Sequence, residues 1–122
     1  MHKEQYVIGV DFGTDSVRAV LIDAHSGKAL IDHVHWYSRW KQGLYCDPAK
    51  NQFRQHPLDH CEGMEIVIKS IIKDSGINKF NINGICVDTT GSSPMPVNEN
   101  GTPLALLPGF DSNPNAMMVL WK

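Results

Sequence analysis

Two short segments of this chain concentrate side chains able to do chemistry. In Val10-Asp11-Phe12-Gly13-Thr14-Asp15-Ser16-Val17-Arg18, a carboxylate leaves an apolar stretch immediately before a tight, hydroxyl-bearing turn. Gly13 lets the backbone approach an anion closely. The turn amides and the Thr14 and Ser16 hydroxyls can donate to phosphate oxygens, Asp11 can hold hydrated Mg²⁺, and Arg18 adds positive charge if it points to the same place. The same residue types also build ordinary hairpin turns, so composition alone leaves both readings open. Neither GxxxxGK[ST] nor GxGxxG is present, which excludes the P-loop and dinucleotide readings. The second segment, Asp88-Thr89-Thr90-Gly91-Ser92-Ser93-Pro94, is a polar loop closing an apolar run. On its residues alone, hydroxyls capping nearby backbone groups account for it more simply than ligand binding does.

The elements that carry these segments follow from hydrophobic period. Tyr6, Ile8 and Val10 alternate with Val7, Gly9 and Asp11, and Val17, Ala19 and Leu21 alternate with Arg18, Val20 and Ile22. After the Ser26-Gly27 turn, Ala29 to Tyr37 reads as a third extended run, giving an antiparallel three-stranded meander. Residues 38–55 show no period and read as a loop. From Pro57, the residues Leu58, Cys61, Met64, Val67, Ile68, Ile71 and Ile72 recur at spacings of three and four, and Ser75-Gly76 supplies the stop, which predicts an amphipathic helix. Ile82 to Val87 reads as a buried strand opening into the second polar loop. A minor hairpin is expected around Asn98-Glu99-Asn100-Gly101, between Met95–Val97 and Thr102–Ala105. An Asn-capped helix with proline at its first position is expected from Asn113 through Trp121-Lys122, running off the end of the sequence.

Bulk properties remove several classes. With 122 residues, 42% hydrophobic and 20% charged, the chain suits one α/β unit, and its net charge of -2 provides no basic field for nucleic acid. No apolar run approaches a membrane span, and residues 1–5 lack a signal core, so a cytoplasmic location is expected. Cys46, Cys61 and Cys86 are odd in number without a CxxC pair, which points to buried or incidental thiols. His25, His33, His35, His56 and His60 do not form a metal spacing and are assigned to the surface or helix ends. Trp36, Tyr37, Trp40 and Tyr45 are assigned to packing rather than to sugar stacking.

The Asp11-x-Gly13-Thr14 turn resembles the first phosphate motif of the actin-like ATPase superfamily, and the order of three strands, helix and strand resembles its ribonuclease H-like fold. Within that superfamily, residues 10–21 and Gln55-His56-Pro57-Leu58-Asp59 resemble the FGGY carbohydrate kinases. Residues 84–94, Pro103-Leu104-Ala105, Asn113–Met117 and Leu120-Trp121-Lys122 narrow the resemblance to the bacterial branch that phosphorylates L-ribulose. Nearly the whole chain is covered.

The resemblance implies a partial amino-terminal domain, residues 1–122, on the sugar-binding side of the kinase's first domain. Its mixed sheet would hold three antiparallel strands plus a following strand, with flanking helices and a phosphate turn at 11–18, the remainder of the kinase being absent. It implies MgATP as phosphoryl donor, with Asp11, Gly13, Thr14, Ser16 and Arg18 toward the phosphates and Asp11 toward Mg²⁺ through water. By position, Thr90, Gly91 and Ser92, with Asp88 in support, would face the ketose L-ribulose of arabinose catabolism. The family's general base and most of its adenine site would lie beyond residue 122, so this piece alone is expected to be inactive. Self-association is also expected if truncation uncovers a sheet face or groove. The competing readings are a different actin-superfamily ATPase and a non-catalytic binding or assembly module.

Overall fold

The computed structural model of the chain describes residues 3–120. The alternation predicted for the first three strands is realised as β1 (Tyr6–Phe12), β2 (Ser16–Asp23) and β3 (Ala29–Trp36). A short helix α1 (Ser38–Lys41), a two-residue strand β4 (Arg54–Gln55), helix α2 (Pro57–Ser75), strand β5 (Ile82–Thr89) and a two-residue strand β6 (Met118–Val119) follow. The residues fall into two compact units, one of residues 1–36 and 62–89 and one of residues 37–61 and 90–122.

The first unit is a four-stranded mixed sheet in the order β3-β2-β1-β5, with β1 antiparallel to β2 and parallel to β5. Register fixes its two faces. Ile8, Val10 and Phe12 pair with Leu21, Ala19 and Val17, and all six are buried. Helix α2 lies on this side, since its Asp74 meets His33 at 3.0 Å and His33 is the register partner of Ala19. Val67 and Ile71, four apart on α2, are buried as the helical period requires. Each large aliphatic side chain so enclosed contributes about 1.5–3 kcal/mol. Gly76 takes a left-handed φ of 68° and ends the helix as expected.

The opposite face is open. It carries Asp11, Arg18, Val34, Trp36, Cys86 and Asp88, all of them exposed. Trp36 is 58% exposed, so its assignment to packing is corrected: pairing with Ser16 places it on the face that no described element covers. Strand β5 exists where it was expected, yet it is not buried, with Ile85 at 48% and Val87 at 52% exposure. Cys61 and Cys86 are exposed and Cys46 half-exposed, so the thiols are not buried ones.

The second unit departs further from expectation. The segment 38–55 holds α1, a 3₁₀ turn at Pro48–Lys50 and β4. The C-terminal helix is a single 3₁₀ turn, Pro114–Ala116, capped by the Asn113 side chain accepting from Asn115 N at 2.9 Å. The chain then extends, because Met118 and Val119 pair antiparallel with Gln55 and Arg54. Trp121 and Lys122, placed by the sequence in that helix, lie outside the described residues. The hairpin at 98–101 is reduced to one bridge, Val97 to Pro103, closed by Asn98 N donating to Thr102 O at 2.9 Å.

Gln55-His56-Pro57-Leu58-Asp59 has a structural explanation in this unit. His56 Nδ1 accepts from Leu58 N at 3.0 Å and caps α2. Tyr37, the N-cap of α1, makes no side-chain cap, and the buried Asp59 carboxylate takes that role. It accepts from Arg39 N at 3.3 Å and Trp40 N at 3.2 Å, and pairs with Arg39 Nη1 at 2.9 Å. Tyr37 stacks on His60 with ring centroids 5.1 Å apart, and His60 Nε2 meets Gln55 Oε1 at 3.2 Å.

Candidate functional site

The turn between β1 and β2 is held by Gly13 N donating to Ser16 O at 2.8 Å. A Cβ at Gly13 would stand 3.2 Å from that same backbone oxygen, so close approach, rather than a positive φ, calls for glycine here. Ser16 Oγ donates to Asp15 Oδ1 at 3.3 Å, and Thr14 sits at the tip of the turn.

Asp11 is the last outward-facing residue of β1. Its register partner across β2 is Arg18, and its partner across β5 is Asp88. The three therefore share the open face beside the turn, which brings together residues from both chemically suggestive segments. Asp88 Oδ1 accepts from Thr89 N at 2.9 Å. Arg18 Nε lies 3.5 Å from Asp32 of β3, an exposed pair that holds the guanidinium over the neighbouring strand. An open groove of about 210 Å³ runs over Gly9, Asp11, Arg18, Val20, Cys86 and Asp88. A second, of about 220 Å³, joins Asp11, Gly13, Ser16 and Arg18 to Val34 and Trp36. Trp36 and Cys86 thus line the site, although the sequence assigned one to packing and the other to an incidental thiol; it is strand register that puts them on the face of Asp11.

Thr90, Gly91 and Ser92 belong to the second unit. There Thr90 Oγ1 and Ser93 Oγ are 3.3 Å apart, and Ser92 adopts a left-handed φ of 58°. Among the described residues no group of three or more His, Cys, Asp or Glu could by itself hold a metal ion, and no helix is long and apolar enough to cross a membrane.

No family model matches the sequence. A ribulokinase of Vibrio parahaemolyticus is 52% identical over 120 residues, covering 98% of this chain and 21% of that protein. A ribulokinase of Halalkalibacterium halodurans is 39% identical over 97% of the chain and 22% of its own length. Among solved structures, a gluconate kinase from Lactobacillus acidophilus superposes with a TM-score of 0.73 over 98% of this chain and 20% of that one, at 18% identity. The expected sugar-kinase fold, of the actin-like ATPase type, is thereby borne out. The chain spans about a fifth of the length of the relatives it matches, and over that fifth nearly all of it is similar to ribulokinases.

Proposed function

We propose that this chain is the phosphate-facing part of a carbohydrate kinase that transfers the γ-phosphoryl group of MgATP to L-ribulose in arabinose catabolism. The observation that carries the reading is the 52% identity to a ribulokinase across nearly the whole chain. The geometry of the turn is compatible with it. Gly13 keeps the turn tight, since a Cβ there would press on Ser16 O, and the exposed Asp11 carboxylate is an oxygen ligand of the kind that suits hydrated Mg²⁺. MgATP would bring the transferable phosphoryl group and the charge-neutralising metal.

In this reading Asp11 would hold Mg²⁺ through water, Thr14 and Ser16 would donate to the phosphates, Gly13, whose amide is engaged by Ser16 O, would keep the turn tight enough for a close approach, and Arg18 would add charge after leaving Asp32. Asp88, Thr90, Gly91 and Ser92 orient the ketose. No residue of this chain is assigned as general base. Phosphoryl transfer depends on clamping the donor from two sides, and a few neutral hydrogen bonds of about 1 kcal/mol each do not replace that clamp. The chain by itself is therefore inactive and binds MgATP in the millimolar range or weaker, about -4 kcal/mol.

The test is ATP-dependent phosphorylation of L-ribulose by the full-length protein, by its Asp11→Ala variant and by the 122-residue chain. Turnover only by the unaltered full-length protein supports the reading. ATP hydrolysis without ketose phosphorylation transfers support to another actin-superfamily ATPase, and nucleotide-independent partner binding to an assembly module.

A further inference from the structure

The polar loop that follows β5 runs directly into Pro94-Met95-Pro96, and this sequence decides how the loop can be held. Each proline sets its own φ near about -65° and has no N–H, so the stretch is stiff and is fastened through its carbonyl oxygens. Two of them are engaged: Pro94 O accepts from Val119 N at 2.9 Å, and Pro96 O accepts from Leu104 N at 3.1 Å. Just upstream, Thr90 Oγ1 and Ser93 Oγ lie 3.3 Å apart, and Ser92 between them takes a φ of 58°. A residue with a Cβ keeps that left-handed conformation only where its surroundings impose it.

Strand β6 aims the Val119 amide at the loop. In its antiparallel pairing with β4, Val119 faces Arg54 and Met118 faces Gln55. Leu120 N donates to Phe53 O at 3.1 Å, on the β4 side. Neighbouring amides of a strand point to opposite edges, so Val119 N is turned away from β4 and reaches Pro94. Met117 and Leu120, which flank β6, are both buried, and so is Gln55. The donor is thereby carried on a packed element rather than on a loop.

We infer that Val119 is a positioning residue for the sugar. Its amide fixes the Pro94 end of the loop and, through it, the left-handed Ser92 about which Thr90, Gly91 and Ser92 present their polar groups. It acts through Pro94, not by touching the substrate. The inference rests on the kinase reading, in which this loop orients the ketose, and adds to it the element that sets the loop's shape.

The experiment compares the full-length protein with its Val119→Pro and Val119→Ala variants in steady-state phosphorylation of L-ribulose. Proline deletes the N–H that faces Pro94 while the Leu120–Phe53 bond of the β4–β6 ladder stays available, and alanine keeps the N–H. Val119→Pro should raise the KM for L-ribulose about tenfold and leave the KM for MgATP within about twofold, and Val119→Ala should match the parent. Hydrogen exchange on the unaltered protein supplies a second measure: L-ribulose should slow exchange of the Val119 amide about tenfold, and MgATP alone should not. Should Val119→Pro lose its fold, that measure decides alone. An unchanged sugar KM in a folded Val119→Pro variant, an equal rise in both KM values, an equal effect of Val119→Ala, or a Val119 amide indifferent to L-ribulose would each overturn the inference. If the parent itself does not phosphorylate L-ribulose, the kinase reading falls and takes this inference with it; if the parent turns over and only the variants are indifferent, the role of Val119 falls alone.

Discussion

Asp11 and Asp88 are register partners on the open face of the sheet, although 77 positions separate them in sequence. Parallel pairing of β1 with β5 makes the two strands deliver their carboxyl ends at the same level, so the phosphate-type turn and the second polar loop start from one edge. Arg18, across from Asp11 on β2, completes a row of charge that crosses three strands. In open α/β sheets the crevice outside the carboxyl ends of the strands is where ligands are held. Both carboxylates are exposed here, and neither contributes to the core.

The proposed function assigns the two carboxylates different roles in the full-length protein. Asp11→Asn should lower kcat for L-ribulose phosphorylation by about 10²-fold or more, because it removes charge positioned for the metal and phosphates. Asp88→Asn should act mainly on the KM for the sugar, by about tenfold, as the loss of one polar contact does. Steady-state kinetics with each variant checks this, and stability should stay within about 0.5 kcal/mol of the parent for both. A fall in kcat for Asp88→Asn equal to that of Asp11→Asn would contradict the division.

The turn that precedes Ser16 was legible in sequence, and so were the meander and α2, because each is written in local period and punctuation: alternation about Ile8 and Leu21, three-four spacing about Val67 and Ile71, Pro57 and Gly76 at the helix ends. What sequence did not carry was long-range. The pairing of Met118 and Val119 with Gln55 and Arg54 overrides an Asn113-Pro114 signal that specifies only one 3₁₀ turn. The exposure of Ile85 and Val87 depends on what packs over β5 from elsewhere in the fold, which no period encodes. Likewise the meeting of Asp11 with Asp88 is a consequence of strand order. Trp36 was readable as an outward residue only once its register with Ser16 was known.

Gly13→Ala should destabilise the chain. The added Cβ would meet Ser16 O at 3.2 Å, and that oxygen is pinned by Gly13 N at 2.8 Å, so neither partner can retreat without opening the hairpin. A cost of about 1–3 kcal/mol is expected, as for other overpacked sites. Urea denaturation gives the value, and a shift below 0.5 kcal/mol, about the level of a neutral surface change, would mean the turn relaxes freely.

Asp59 offers a sharper stability test. Its carboxylate is 1% exposed and serves two α1 amides and the Arg39 guanidinium, itself only 23% exposed. Asp59→Ala leaves all three donors without that acceptor, and a loss of about 3 kcal/mol is expected from breaking one side of a buried pair. Replacing both partners, Asp59→Leu with Arg39→Met, should recover a substantial part of it, because the remaining uncompensated charge is gone. Thermal or chemical unfolding of the two variants beside the parent measures the difference.

His60 gives the chain a pH dependence of stability with a definite sign. Burial holds its imidazole below the ordinary histidine value, against a smaller opposing pull from Asp59. The unfolded chain, where the histidine is free, therefore takes up a proton at higher pH than the folded chain does. Stability is complete above the unfolded value of about 6.5 and is lost as pH falls through the lower folded value, since in that interval protons bind preferentially to the unfolded state. The structural cause is visible in the stack of His60 on the fully buried Tyr37, which leaves the charged ring poorly hydrated. Unfolding midpoints measured from pH 7.5 down to pH 5 should decline, and His60→Gln, which cannot take up that proton, should flatten the slope over this interval. An unchanged slope in a folded His60→Gln variant would show that His60 does not set the dependence.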